Sequence, residues 1–456
     1  SVMWSRLIWL VRRASVMRPR EVARRAGHLG RAAAEAAAYR VSGAWPGLVK
    51  LKAHQVRFAA SDVVMLPLAP IDPATIPVDQ LLAGQVPAFG EWVQWEPDPI
   101  FWHRDWITGA IWPHAVGQRP DYRPGNATGD ARTIWELGRL QHLYSLAMIA
   151  KVWPDHRPRA IGLLVSQLRS WFSANPFPWG IHHRSAMEEA LRTIALLHAA
   201  DAARAWLDPE CWEMIIEVLC THGWHIERGL SVHSSAGNHT IAEAAGLLYI
   251  GLVLPEHPRS HIWVQLAQTL LDSEADRQVR KDGGPLEQAP WYGLFVTDLL
   301  CLVQRLTEHF RRPPLPRLVA AVARSKAFLE AVATHAKHLP SVGDADGGYA
   351  LSPHLKLAFA GSKGGPQPRR HTFPATGLSL TSFHGHDRLV FLPKDLGMPP
   401  NYGHGHADSL SVLFDWYGQP VMIDPGTYRY AAADGSRAYL RSTAAHNTAT
   451  VEGQDQ

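Results

Sequence analysis

The chain has 456 residues, 46% hydrophobic and 19% charged, with a formal net charge of +4. That composition excludes a disordered polymer. The charge is too small for this length to argue for nucleic-acid binding, although a mildly basic surface suits a polyanionic partner.

Residues 1–40 are basic, and arginines break their apolar runs every few positions. They lack the uninterrupted apolar stretch of a signal peptide and the apolar length of a membrane span, and no later segment has that length either. They read as an amphipathic docking helix, with a membrane-surface helix as the weaker alternative. Residues 40–130 are rich in proline and tryptophan and predict a long irregular arm packed on the rest. Eighteen tryptophans is a high number, and many fall in loop-like contexts such as GEWVQWEPDPIFWHRDW and NPFPWG. As a set they suit the apolar faces of sugar rings, although packing between helices explains any single one better.

From residue 130 the period becomes helical. Residues 130–153 predict one helix capped by Asp130, and seven further helical stretches follow between 159 and 336. Short turns alternate with longer loops, as in antiparallel helix pairs of a bundle or an α/α toroid. Cys211 and Cys220 fall within one of these stretches and read as small buried hydrophobes; with Cys301 they are too few for a disulfide framework.

After residue 353 the period changes again. TGLSLTSFHG, DRLVFLPK, SLSVLFDWYG, QPVMIDPG and HNTATVEG predict antiparallel strands, with WYGQP as a hairpin turn. The chain stops at Gln456, just after an expected strand, and reads as lacking the rest of that domain. The expected organisation is a helix and irregular arm over 1–129, a helical domain over 130–365 and the start of an antiparallel β domain over 366–456.

The hairpin has a chemical consequence. His406 precedes its first strand and Asp424 ends its second, so the two meet at one end of the sheet, and His446 begins another expected strand near the same rim. Two imidazoles and a carboxylate make a zinc set; hydrogen-bonding groups at strand ends are the other reading. Asn238 and His239 stand at an expected helix start, where Asn238 reads as the N-cap. Tyr292 follows Trp291 at another helix start.

Together these motifs resemble the heparinase II/III-like family of polysaccharide lyases. GNHT, EQAPWYG, GHGHADSLSVLFDWYGQPVMIDPGTYRY and AAHNT carry the resemblance, supported by DARTIWELGRLQHL, GIHHRSAMEEALR and PSVGDADGG. It covers the chain from about Trp92 onward. It implies an incomplete α/α toroid followed by an antiparallel β-sandwich domain. It also implies β-elimination at a uronic acid of an acidic polysaccharide, leaving an unsaturated sugar. By resemblance, Asn238 and His239 stabilise the substrate carboxylate, Tyr292 gives a proton to the leaving oxygen and His404 is the base. His406, Asp424 and His446 hold a structural zinc, and Gly405 lets the backbone turn sharply between the two histidines. His182 and His183 stand where the family pattern has asparagine and tryptophan, which implies an altered subsite. Members are usually exported, which implies the periplasm, yet no signal peptide is visible.

Two other functions remain open on the residues alone. A glycoside hydrolase on an α/α barrel would need two opposed carboxylates, for which Glu188, Glu189, Asp282 and Glu287 are available. A non-catalytic polysaccharide-binding protein would keep the cleft without turnover.

Overall fold

The computed structural model describes residues 17, 19–69, 71–95, 100–123, 126, 128–333, 338–345, 347–354, 357–359, 369–383, 387–430 and 434–456. The first sixteen residues and the expected boundary at 365/366 lie outside that set. Helix α1 (Pro19–Ser42) buries only Glu21 and docks through polar groups and, near its end, through Tyr39, which packs on Trp45 and Trp179. Where an irregular arm was expected, short helices at Arg57–Ala60 and Val78–Leu82 and a hairpin of β1 (Gln85–Ala88) and β2 (Glu91–Gln94) form. Proline limits their length, but Val86, Ala88 and Val93 still give the hairpin a buried face. Asp201 pins the arm by accepting from the backbone N–H groups of Met65 and Leu66.

Residues 130–153 form two helices rather than one, α2 (Arg132–Gly138) and α3 (His142–Val152). Ala131 takes the cap position of the first in place of the expected Asp130, whose Oδ1, one residue earlier, still accepts from Arg132 N–H at 3.0 Å. The break lies at Leu140, whose φ is +58°. It turns the Arg139 guanidinium inward onto Glu136 and Glu188. Then follow α4 (Arg157–Ala174), α5 (Ala186–Ala203), α6 (Pro209–Gly229), α7 (Asn238–Val253), α8 (Ser260–Gln278), α9 (Pro290–His309) and α10 (Pro316–Val332). Proline opens α6, α9 and α10, where its missing N–H costs nothing. The odd-numbered helices α3, α5, α7 and α9 lie side by side as an inner row, and α4, α6, α8 and α10 pack outside them. Burial follows this layering: every residue of α5 is buried, whereas α4 buries one stripe. This is the incomplete α/α toroid. Among the described residues no helix is long and apolar enough to cross a membrane.

The tryptophans are mostly interior. Trp112, Trp171 and Trp263 are buried, and among the described residues only Trp92 and Trp416 are exposed. Helix packing therefore accounts for the buried ones, while Trp45, Trp106, Trp153, Trp179, Trp206 and Trp291 stay partly exposed. The three cysteines are buried and free, their thiols pushed up to about 11 by burial.

The β domain is a five-stranded antiparallel meander: β3 (Arg369–Phe373), β4 (Leu378–Ser382), β5 (Arg388–Leu392), β6 (Ser411–Trp416) and β7 (Gln419–Met422). Tyr417 and Gly418, with φ of +50° and +73°, make the two-residue turn expected at WYGQP. Strand β3, largely polar and at the sheet edge, carries no alternating apolar signal. HNTATVEG does not form a strand among the described residues. Its Ala449 and Val451 are exposed, so it has no face to bury, and a short turn at Thr443–Ala445 delivers His446 instead. Leu378, Leu380, Val390, Leu392 and Leu413 pack on Phe328, Leu329 and Val332 of α10 and Leu294 of α9. That seam fixes the loops of the sheet over the ends of the inner helices.

One interior group makes stability depend on pH. Glu243 of α7 is buried and accepts from Ser231 N–H and its hydroxyl, at 2.6 and 2.8 Å. Burial pushes its carboxyl up to about 8, against the pull of those donors. The folded chain therefore keeps this proton up to about pH 8, while the unfolded chain releases it near 4.5. Between those values the folded state binds the extra proton, so stability falls as pH rises. Glu243→Gln should reduce the drop in melting temperature between pH 5 and pH 8 (about those values); an undiminished drop would show that Glu243 does not hold that proton.

Candidate active site

Helices α7 and α9 begin near the sheet loops, and the site assembles where these meet. Gly237 occupies the cap position of α7, so Asn238 is its first helical residue rather than the expected cap. Its side chain takes other partners. The backbone N–H of Asn238 donates to Glu287 at 3.1 Å, and Asn238 Nδ2 donates to the same carboxylate at 3.0 and 3.1 Å. Asn238 Nδ2 also lies 3.2 Å from His404 Nε2. Because a carboxylate only accepts, Glu287 fixes which way the amide points, and the amide then offers a proton to His404 Nε2.

His404 Nδ1 donates to Asp344 Oδ2 at 2.9 Å, and His406 Nε2 donates to Asp344 Oδ1 at 2.9 Å. Asp344 is fully buried and also accepts from Thr427 Oγ1 and from both terminal nitrogens of Arg437. Burial alone would raise its carboxyl; the hydrogen bonds from His404, His406 and Arg437 outweigh that and hold it far below the usual range. A permanent carboxylate here sets two opposite tautomers. His404 carries its proton on Nδ1 and turns a lone pair on Nε2 toward Asn238. His406 carries its proton on Nε2 and leaves Nδ1 bare.

The histidines are placed by close backbone contact. A side chain at Gly405 would meet Gly397 Cα at 2.7 Å, so this glycine serves close approach, and its φ is not among the positive ones. Gly343, with φ +65°, lets the chain before Asp344 pass His404 O and Gln288 O.

Tyr292 stacks on His404, with ring centroids 3.8 Å apart, and its hydroxyl shares a 2.8 Å hydrogen bond with Tyr430. The guanidiniums of Arg132 and Arg437 lie 4.7 and 4.5 Å from the Tyr430 ring centroid. Asp130, through its second oxygen, accepts from Tyr430 N–H at 2.8 Å and so ties this loop to the start of α2. His239 retains solvent exposure but is walled in. Burial first and the His404 charge second hold its imidazole below the ordinary value, with Glu188 and Glu287 opposing.

His406, Asp424 and His446 converge, all buried, with ligand atoms within 4.8 Å of one another. His406 Nδ1, Asp424 Oδ2 and both ring nitrogens of His446 have no hydrogen-bond partner, and Asp424 and His446 approach only to 3.4 Å. Buried donor atoms left bare in this way fit a cation. Burial pushes the nearby Asp408 carboxyl up; its buried ion pair with Lys394 opposes this and the charge of Asp424 adds to it. A second cluster, His183, Glu189 and His222, has a similar span but different chemistry. His183 and His225 bond the Glu189 carboxylate, while His222 is engaged by Arg192 and Thr193. Its ligand atoms are occupied and a guanidinium stands beside it, so it is a charge network of the helical core.

His182 and His183 are buried and present no surface to a ligand, which corrects the expected subsite. The carboxylates a hydrolase would use are also committed. Glu188 holds Arg139, Glu189 its histidines, Asp282 the backbone and hydroxyl of Thr376, and Glu287 Asn238. Asp344 and Tyr430 were not singled out from sequence, and Glu287 was named only as a hydrolase carboxylate. An acid flanked by glycines in PSVGDADGG was the available signal for Asp344.

Two family models match the chain: Heparinase II/III N-terminus over residues 99–345, and Heparinase II/III-like, C-terminal, over 365–456. It is 22% identical over 269 residues to a heparin-sulfate lyase of Bacteroides stercoris, covering 53% of this chain and 40% of that protein. It is 23% identical over 248 residues to a heparin-sulfate lyase of Pedobacter heparinus, covering 50% and 38%. Its fold is similar to the crystal structure of a heparinase III, with a TM-score of 0.58, 13% identity, and coverage of 86% of this chain and 65% of that one. The match thus spans less than two thirds of these relatives' length.

The glycine between the histidines offers a direct check. Gly405→Ala forces a Cβ into the Gly397 backbone, which cannot move aside as a side chain would. The expected loss is about 1–3 kcal/mol of stability, read as a lower melting temperature. A variant as stable as the parent would show that the two loops are not packed this closely.

Proposed function

This chain belongs to the heparinase II/III-like family, and on that footing we propose that it is a polysaccharide lyase, cleaving a uronic-acid-containing polysaccharide by β-elimination. The observation that carries the reading is His404: Nδ1 held by Asp344, Nε2 turned to Asn238, and its ring stacked on Tyr292. The chemistry needs a base at C5, a proton for the oxygen leaving C4, and an electrostatic partner for the substrate carboxylate as charge spreads onto it. Asn238 and His239 are the partners for the carboxylate. When a uronate carboxylate takes the Asn238 proton that His404 Nε2 accepts in the free protein, the Nε2 lone pair is released toward the C5 proton. The C5–H electron pair becomes the C4–C5 double bond, the C4–O bond breaks, and Tyr292 delivers a proton to the departing oxygen. Before the next turnover His404 must lose the proton it took and the Tyr292 oxygen must regain one; on this reading the Tyr430 hydroxyl, 2.8 Å away, is the path by which that proton returns. Arg132, Arg437 and Arg441 supply positive charge around the site that suits an acidic polymer. The two relatives named heparin-sulfate lyases favour a heparan-like chain as the first substrate to try.

A structural zinc ion belongs, on this reading, at His406, Asp424 and His446. Its charge would neutralise the buried Asp424 and anchor the loop that carries His404. Asp344 would orient the ligand His406 from behind, the carboxylate–histidine arrangement that stiffens such sites.

Three measurements test this. Ultraviolet absorbance should rise when zinc-assayed protein is incubated with at least one polymer from a panel of uronate polysaccharides. Silence across the panel at full zinc occupancy would favour a binding protein instead. Tyr292→Phe should cut turnover on the order of 10²–10⁴-fold with substrate binding retained; unchanged turnover would remove Tyr292 from proton transfer. Asp344→Asn leaves one acceptor for two imidazole N–H groups, so one histidine must change tautomer. Either turnover or zinc content should then fall at least about a hundredfold and tenfold respectively. Retention of both would refute the tautomer assignment.

A further inference from the structure

We propose that helix α1 is a basic rail that extends the binding surface for an acidic polysaccharide beyond the residues around the scissile bond; this rests on the lyase reading above. Arg20, Arg24, His28 and Arg31 follow at intervals of four, four and three residues, which places them on one face of the helix. All four are exposed. The stripe from Arg20 to Arg31 is about 16 Å long at the rise of an α-helix. The two acids of the helix do not cancel it. Glu21 pairs with Arg25, and Glu35 with Arg228.

The rail lies at the rim of the active site. Arg24 Nη1 donates to His233 Nε2 at 3.1 Å, while Arg25 and Glu21 bond Ser234 and Arg25 also bonds Ser235. These residues form the short turn that leads directly into Asn238. Asn401, three residues before His404, donates from Nδ2 to Ser234 O on the same turn. The helix therefore sits on the turn that both halves of the site share. From His233 to Asn238 the chain can span at most about 17 Å, so the stripe begins within a few sugar units of the proposed base. Glu21 and Arg25 make most of the docking contacts and Arg24 adds the one to His233, while the stripe stays exposed along its length. A helix that buries one residue in twenty-four is not held for its apolar surface. The three arginines carry the charge of the stripe, since burial and the neighbouring Arg31 hold His28 below its ordinary value. They complement the regular row of carboxylates on a polyuronate, and such a field acts at a distance and weakens with salt.

The test compares the full chain with a triple variant, Arg20→Gln, Arg24→Gln and Arg31→Gln, which leaves the docking pair Glu21 and Arg25 in place. Binding is measured on heparan sulfate polymer and on a tetrasaccharide cut from it. The variant should bind the polymer about tenfold more weakly at low salt, and the difference should shrink as salt rises. The ratio of polymer KM to tetrasaccharide KM should rise by a similar factor. The corresponding triple lysine variant, which keeps the charge, should restore both. Equal polymer binding by variant and parent overturns the rail. So does an equal loss for polymer and tetrasaccharide, which would mean that the helix only props the site. Loss of binding to anionic lipid vesicles with polysaccharide binding intact would reassign the face to a membrane and also overturn it. If the parent yields no ultraviolet product from any uronate polymer, the lyase reading fails, and the polymer-binding comparison alone decides the rail.

Discussion

The carboxylate of Asp344 is the constraint on which the site depends. It is buried, ionised and shared by two imidazoles and a guanidinium. Burying a charge is costly unless every oxygen is satisfied, and here Arg437 and Thr427 complete the set. A neutral acceptor could orient one histidine. Only an anion with two accepting oxygens can fix opposite tautomers on two histidines two residues apart, leaving Nε2 of one and Nδ1 of the other without a proton. The backbone N–H of Asp344 also donates to His404 O, so the loop is held by main chain and side chain together.

The helical layer supplies the other half through buried charge of its own. Helix α5 carries Glu188, Glu189 and Arg192 inside the toroid, and each is paired: Glu188 with Arg139, Glu189 with His183 and His225, Arg192 with the Gly138 and His182 carbonyls. Such pairs contribute little net stability against an apolar core, but removing one partner strands the other. They hold the break between α2 and α3 in one geometry, and with it Asp130 and Arg132. The contrast between the two histidine–carboxylate clusters follows from the same accounting of partners. One has all its ligand atoms engaged; the other leaves four bare.

Much of this was legible in the sequence because it rests on local pattern. The helices from residue 159 onward follow from apolar periodicity, and the β6–β7 hairpin from the turn residues Tyr417 and Gly418. The meeting of His406 with Asp424 follows from the hairpin itself. Contacts between distant segments were not legible. Nothing near Asn238 announces Glu287 as its partner, and nothing near Tyr430 announces Tyr292 or Asp130. Local rules also misled where tertiary packing won. Asn238 has the chemistry of a cap, but Gly237 takes that place. Residues 130–153 have one helical period, but the inward turn of Arg139 breaks it. Strand β3 lacks a pattern because an edge strand needs none, and HNTATVEG has strand-like residues without a face to bury.

Asp130 works on both sides of the site. With one oxygen it accepts from the first residue of α2 and with the other it holds Tyr430, so a single side chain rivets the sheet side of the cleft to the helical side. The candidate site draws its groups from both sides, Asn238 and Tyr292 from the helices and His404 from the sheet loops. One carboxylate thus joins the two sides at the cleft, and exchanging it for an amide would loosen one side from the other there without touching either core.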